Sequence, residues 1–185
     1  EMAIMKELAS LSMADAKLVI NLTLNDDDFT ENGADDVEIL FSANLGEDLK
    51  SLAKIVSGGE LSRIALALKK DDIDLMVFDE VDTGVGGKTA QMMAEKIARI
   101  ALYRQVICIT HLPQIAAMAD AHFYISKETK NNKTFTTSDE INYDAKLAEI
   151  ARMSSGIDLT QASLENAEEM LTNARRRKEL LHFDD

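Results

Sequence analysis

Three short segments of this chain carry residue types that act on phosphates. Ser57-Gly58-Gly59-Glu60 stands at the start of an expected helix, and the apolar run Leu75-Met76-Val77-Phe78 ends in Asp79-Glu80. His111 follows the next apolar run. A helix N-terminus offers unpaired amides to an anion, and adjacent glycines let a ligand come close to that backbone. Ligands of open α/β sheets bind at the C-terminal ends of the strands, where Asp79 suits a Mg²⁺ ion, directly or through water. Glu80 beside it can orient and deprotonate an attacking water. His111, at the same sheet edge if the two strands are neighbours, has the place of a γ-phosphate sensor. In this order the segments describe a nucleotide-hydrolysing site with one part absent, because no Gly-x-x-x-x-Gly-Lys-Ser/Thr sequence occurs.

Each segment also has a structural reading. Ser57 and Glu60 have the spacing of a capping box, in which serine caps the helix and glutamate reaches back. A capping box does not require two glycines, and a well-capped helix start is itself an anion site, so the two readings are compatible. Asp79-Glu80 can be an acidic strand-to-loop junction, although packing explains two carboxylates there poorly. A lone histidine is more often a hydrogen-bonded structural residue, and His122 and His182 have only that reading. The glycines of Asp82-Thr83-Gly84-Val85-Gly86-Gly87 permit a tight backbone path beside the acidic pair. No cluster has zinc-ligand spacing, and no nucleophile–base pair stands out.

The elements that must position these residues follow from periodicity. Residues 1–9 read as the end of a helix, with Met2, Met5 and Leu8 on one side, as if cut from something longer. Alternation predicts a strand over 16–25 and a second over 37–43, joined by the acidic turn around Asn32-Gly33. The stretch 45–56 reads mostly as loop, followed by a helix over 59–68. Residues 73–78 and 105–110 read as strands buried on both faces. A helix over 88–102 places Ala90, Met93, Ala94, Ile97 and Ala101 on one stripe. A short helix after Pro113, strands over 121–126 and 133–137, and helices over 143–154 and 161–180 complete the chain. The alternating centre predicts an α/β fold with a mainly parallel sheet under helical cover.

Composition sets outer bounds. With 185 residues and 46% hydrophobic content, the chain can bury the core of one domain, with room for an appended piece. Its formal charge of −13 is opposite to that of a phosphate-neutralising surface. The basic cluster Arg175-Arg176-Arg177-Lys178 reads as a solvated helix face. Cys108, the sole cysteine, cannot form an internal disulfide, which fits a reducing cytosol; in a strand it reads as an inert thiol. No apolar run reaches the ~18 residues of a bilayer span, and the N-terminus lacks the apolar region of a signal peptide.

Taken together, the motifs resemble ABC-type ATPase heads. Ser57-Gly58-Gly59-Glu60 resembles the signature loop in its SMC-like form, and Leu75 to Glu80 the Walker B strand with its catalytic glutamate. Asp82 to Gly87 falls at the D-loop and His111 at the switch histidine. The longer runs Ala53 to Leu68, Phe78 to Gly84, Thr110 to Ala116 and Glu149 to Met153 are similar to the RecN family of SMC-like bacterial DNA repair proteins.

The resemblance implies a P-loop NTPase head of which this chain is the C-terminal lobe. Residues 1–9 would end a coiled coil, and residues 10–185 would form the lobe. It further implies ATP and Mg²⁺ as cofactors, Glu80 and His111 as catalytic residues, and Asp79 as the metal ligand. Nucleotide contacts would come from Ser57, Gly58, Gly59, Glu60, Asp82, Thr83 and Gly84. Expected partners are the N-terminal P-loop lobe of the same protein and a second head joined through ATP. DNA would be met by the complete protein rather than by this acidic lobe, and a cytoplasmic, nucleoid-associated location follows. The P-loop and the Q-loop glutamine are absent, so the chain alone is expected to be inactive. The span from Gly59 to Asp79 is shorter than usual for such heads around Lys69-Lys70-Asp71-Asp72. The alternative is a non-catalytic assembly lobe that docks on a separate P-loop chain.

Overall fold

The computed structural model describes residues 1–24, 31, 33–54, 58–68, 73–130, 133–156 and 159–181. The chain forms two compact units, one from 1–85 with 107–109 and the other from 86–106 with 110–185.

The first unit begins with α1 (Met2–Ser10), followed by β1 (Lys17–Leu24), β2 (Asp35–Ser42) and the short β3 (Lys50–Ser51). These strands form an antiparallel sheet in that order, with Leu18 opposite Phe41 and Leu22 opposite Val37. Leu18 and Phe41 are buried, as are Leu8 and Leu11 at the end of α1, so apolar burial gathers at the base of the hairpin. Toward its tip, Leu22, Leu24 and Val37 are exposed. The alternation therefore predicts the strands correctly but not their burial, because the hairpin runs beyond the elements that cover it. Part of the expected 45–56 loop is regular: β3 leads into a 3₁₀ turn, Leu52–Lys54.

The unit continues with α2 (Gly58–Leu68) and β4 (Leu75–Asp79), and β4 pairs with β5 (Gln105–Ile109). Helix α2 buries Ile64, Leu66 and Ala67 and packs against β4. The strands are not buried on both faces as expected. Phe78 is 1% exposed, whereas Val77 is 59% exposed and Ile109 49%. Strand side chains alternate in direction. One side of the pair, bearing Met76 and Phe78, is therefore covered, while Leu75, Val77, Ile107 and Ile109 face outward. The Lys69 to Asp72 segment lies outside the described residues.

The second unit holds α3 (Gly87–Ala101), α4 (Pro113–Met118), α5 (Tyr143–Ser155) and α6 (Gln161–Leu181). The predicted stripe of α3 is buried at Ala90, Met93, Ala94 and Ile97, with Ala98 and Ile100 beside it. Helices α3, α4, α5 and α6 pack together over buried Ile115, Ile150, Ala167 and Leu171. Asn142 caps α5 by accepting a hydrogen bond from the Ala145 amide at 3.0 Å, and Gly156 ends it at φ 89°. Ion pairs join Arg177 to Glu95 and Lys178 to Asp120. Among the described residues, strands β6 (Phe123–Lys130) and β7 (Lys133–Glu140) form a separate two-stranded antiparallel sheet, so β6 does not extend the β4–β5 sheet as the alternating pattern predicts. Among the described residues no helix is long and apolar enough to cross a membrane.

Cys108 sits on the covered side of β5. Burial pushes its thiol from the ordinary 9.0 up to about 12, with further increments from Asp82 and Asp79. A proton held more tightly in the folded state gives stability that is full below the ordinary thiol value and is lost as pH rises toward the folded one. Unfolding of the chain followed from pH 8 to 11 is therefore expected to show a stability decline that Cys108→Ala removes, and alkylation of native Cys108 at pH 8 should be slow. Phe78→Ala should cost about 3–5 kcal/mol in denaturant unfolding. Val77→Thr, on the open side, should stay within about 0.5 kcal/mol.

Candidate functional site

The acidic pair and the start of α2 meet in the first unit through a few specific contacts. The Ser62 hydroxyl donates to the Asp79 carbonyl at 2.9 Å, and Arg63 Nη1 donates to the Thr83 carbonyl at 3.0 Å. Gly59, in the first turn of α2, is buried. A Cβ on Gly59 would stand 3.1 Å from the Glu80 carbonyl oxygen and 3.2 Å from the Thr83 Cβ. Gly59 is thus glycine because the turn after β4 lies against it. Gly58 differs: a Cβ there would meet nothing within 4 Å, and the residue is exposed. Only Gly58 keeps open space of the kind a ligand needs to approach backbone amides. Ser57 lies outside the described residues.

The turn itself is tightly wound. The Thr83 amide donates to the Glu80 carbonyl and the Val85 amide to the Asp82 carbonyl, both at 3.1 Å. Val81 and Asp82 are buried as its inward pegs, while Asp79, Glu80, Thr83 and Gly84 are exposed. Glu80 has φ 53°, a left-handed conformation that costs a residue with a Cβ about 1 kcal/mol or more. Gly84, at φ 72°, takes the same region without that cost. Glu80 therefore leaves its strand at a sharp, unfavourable angle that the surrounding contacts hold. Electrostatically the site is acidic, with Asp79, Glu80 and Asp82 in succession and Glu60 on α2. Burial lowers the pKa of Arg63, and Glu60 partly offsets this.

Asp79 is the expected metal ligand. Among the described residues no group of three His, Cys, Asp or Glu side chains is placed to hold an ion. A single exposed carboxylate still suits Mg²⁺, which keeps several waters and takes its other ligands from substrate phosphates. The donor set fits a shared ion and not a metal held by this chain alone.

His111 belongs to the second unit and is exposed. Thr110 Oγ1 accepts a hydrogen bond from the Leu112 amide at 3.0 Å, and the Leu112 carbonyl accepts from Ile115 and Ala116, which fixes the entry into α4. In sequence, Glu80 directly follows β4 in the first unit, and His111 follows β5 after one residue. The glycines of the D-loop segment run directly into a further pair with phosphate-binding residue types, Lys88-Thr89. Gly86-Gly87-Lys88-Thr89 opens α3 with the Gly-Lys-Thr ending of a P-loop, but Asp82 stands where the first glycine is needed.

No family model matches the chain. It is 50% identical to the DNA repair protein RecN of Bacillus subtilis over 150 residues, covering 78% of this chain and 26% of that protein. With RecN of Treponema pallidum it shares 41% identity over 182 residues, covering 92% of this chain and 32% of the relative. The chain thus spans about a quarter to a third of the length of the curated relatives it matches. Among solved structures, the Smc head domain with a coiled coil and joint from Pyrococcus yayanosii aligns at TM-score 0.54 and 19% identity, over 83% of this chain and 29% of that one. At that identity the likeness speaks for the fold alone. Over most of its length the chain is therefore similar in sequence to one segment of the RecN DNA repair proteins, and its fold is that of an SMC-type head.

Proposed function

We propose that this chain is the C-terminal half of an SMC-like ATPase head that acts in DNA double-strand break repair and recombination. In this reading residues 1–9 end a coiled coil and residues 10–185 form the lobe. The observation that carries it is the clamp between α2 and the turn after β4, which holds Glu80 exposed at φ 53° beside the glycine-led start of α2. A packing turn has no need of a strained, solvent-facing carboxylate, whereas a water-activating base must be held at a fixed angle.

The residues divide the work as follows. Glu80 accepts the proton of the attacking water. Asp79 would help hold Mg²⁺, which would supply charge neutralisation at the phosphates. Gly58, with Glu60 in the same turn, faces the nucleotide carried by a second head, so that ATP joins two heads; the Ser57 hydroxyl is assigned to the same nucleotide, and Gly59 lets α2 close on the turn after β4. Asp82, Thr83 and Gly84 form the turn that lines this junction, and His111 reads the γ-phosphate. The N-terminal P-loop lobe of the same protein completes the pocket, and DNA is met by the whole protein. A second reading, an assembly lobe without catalysis, is favoured only by the open apolar side of β4 and β5, which suits docking. The two readings part when the chain is mixed with its P-loop lobe. Mg²⁺-dependent ATP hydrolysis supports the first, and a stable but inert complex the second.

Glu80→Gln in the completed head should keep ATP binding and head pairing but slow hydrolysis by about 10²-fold or more. Unchanged turnover would remove Glu80 from the reaction. Separately, Glu80→Gly should leave the isolated chain at least as stable as the parent, because glycine relieves the left-handed backbone, whereas Glu80→Val should destabilise it by about 1–2 kcal/mol in denaturant unfolding. Gly59→Ala should cost about 1–3 kcal/mol through its clash with the turn. Gly58→Ala should leave stability within about 0.5 kcal/mol and weaken ATP-dependent pairing measured by light scattering.

A further inference from the structure

A hollow of about 460 Å³ opens in the second unit, lined by none of the candidate nucleotide-site residues but by Arg175 and Lys178 of the basic cluster. It lies where the chain leaving α4, the first turn of α5 and the last turns of α6 come together. Its volume falls in the range of small-ligand sites. The half-buried titratable groups on its wall, Lys146, Lys178 and His122, are all basic. The carboxylates Asp120, Glu140 and Glu179 are exposed and form its rim together with Arg175.

The lining carries three cations, Lys146, Arg175 and Lys178, and three carboxylates, but the carboxylates all lie at the exposed rim. Lys178 is paired with Asp120. The Lys146 ammonium donates to the Ala119 carbonyl at 2.6 Å, and among the described residues no carboxylate stands within ion-pairing distance of it. An ammonium has three N–H donors, so this acceptor leaves two for another partner. Burial lowers the Lys146 pKa, the charge of Lys178 lowers it further, and Asp120 opposes. His122 is lowered by burial and then by Lys146, against a raising effect of Glu149. The N-terminal turn of α5, a helix of 13 residues, adds its partial positive charge to the same wall. Desolvated positive charge of this kind is costly unless an anion compensates it.

We propose that this hollow binds a small oxyanion, a phosphate or a carboxylate, seated between Lys146 and Lys178 and met by Arg175 from the rim. The rim carboxylates set the size limit. A polyanion such as nucleic acid would have to pass Glu140 and Glu179, so the site selects a compact group. This assignment is independent of the ATPase reading, because it uses none of the same residues.

Isothermal titration of the full chain with inorganic phosphate, and separately with acetate, at constant ionic strength tests it. One saturable site is expected for at least one of the two, and the tighter one identifies the group. Lys146→Met should weaken binding at least tenfold, and Arg175→Ser, an exposed change that leaves the fold testable, about threefold. In spectra of ¹³C-methylated lysines, the Lys146 and Lys178 signals should move on saturation. Absence of saturable binding by both anions, unchanged affinity in Arg175→Ser, or tighter binding of duplex DNA than of either ion would overturn the proposal.

Discussion

The backbone of Gly59 lying against the carbonyl of Glu80 is the contact on which the acidic turn depends. With a Cβ at that position the two segments could not approach so closely, and the bonds from Ser62 and Arg63 would lose their reach. These two bonds end on backbone carbonyls, at Asp79 and Thr83, so they fix the path of the chain rather than any one side chain. Phe78, Val81 and Asp82 anchor the turn from inside, which leaves Asp79 and Glu80 outside with little freedom of direction. Order at the acidic pair is thus produced by burial on either side of it, in a single compact unit.

Much of this was legible in the sequence, for reasons that differ by element. Helices α3 and α6 were readable nearly to the residue, because an apolar stripe sustained over several turns leaves little ambiguity. The start of α2 and the end of β4 were marked by Gly58-Gly59 and by Asp79-Glu80. What the pattern could not tell was cover. A continuous apolar run such as Leu75 to Phe78 says that a strand is present, but the number of faces it buries depends on what lies across from it. The same holds for β1 and β2, whose alternation was plain and whose tip is nevertheless exposed. The alternation of strands and helices does not show where a sheet ends, and β6 pairs in register with β7, its neighbour in sequence.

At the candidate site, residue types were readable and backbone states were not. Nothing in the letters Asp79-Glu80-Val81 announces a left-handed glutamate, since glycine or asparagine is the usual occupant of that region. The two glycines looked equivalent and are not: one is required by an internal neighbour, and the other faces open space. Of the hollow in the second unit, local spacing showed only the basic cluster that supplies Arg175 and Lys178, because His122 and Lys146 come from distant segments.

The bare side of β4 and β5 has a further consequence for how molecules of this chain meet one another. Leu75, Val77, Ile107 and Ile109 present an apolar strip, and β-strands with uncovered side chains tend to adhere. The net charge of −13 works against this by mutual repulsion. That repulsion reaches about 30 Å at 0.01 M salt but only about 8 Å at 0.15 M, whereas apolar attraction does not weaken with ionic strength in the same way. Colloidal behaviour of the isolated polypeptide is therefore governed by salt: dispersed in dilute buffer, self-adhering as counterions accumulate, and restored by whatever partner surface shields the strip.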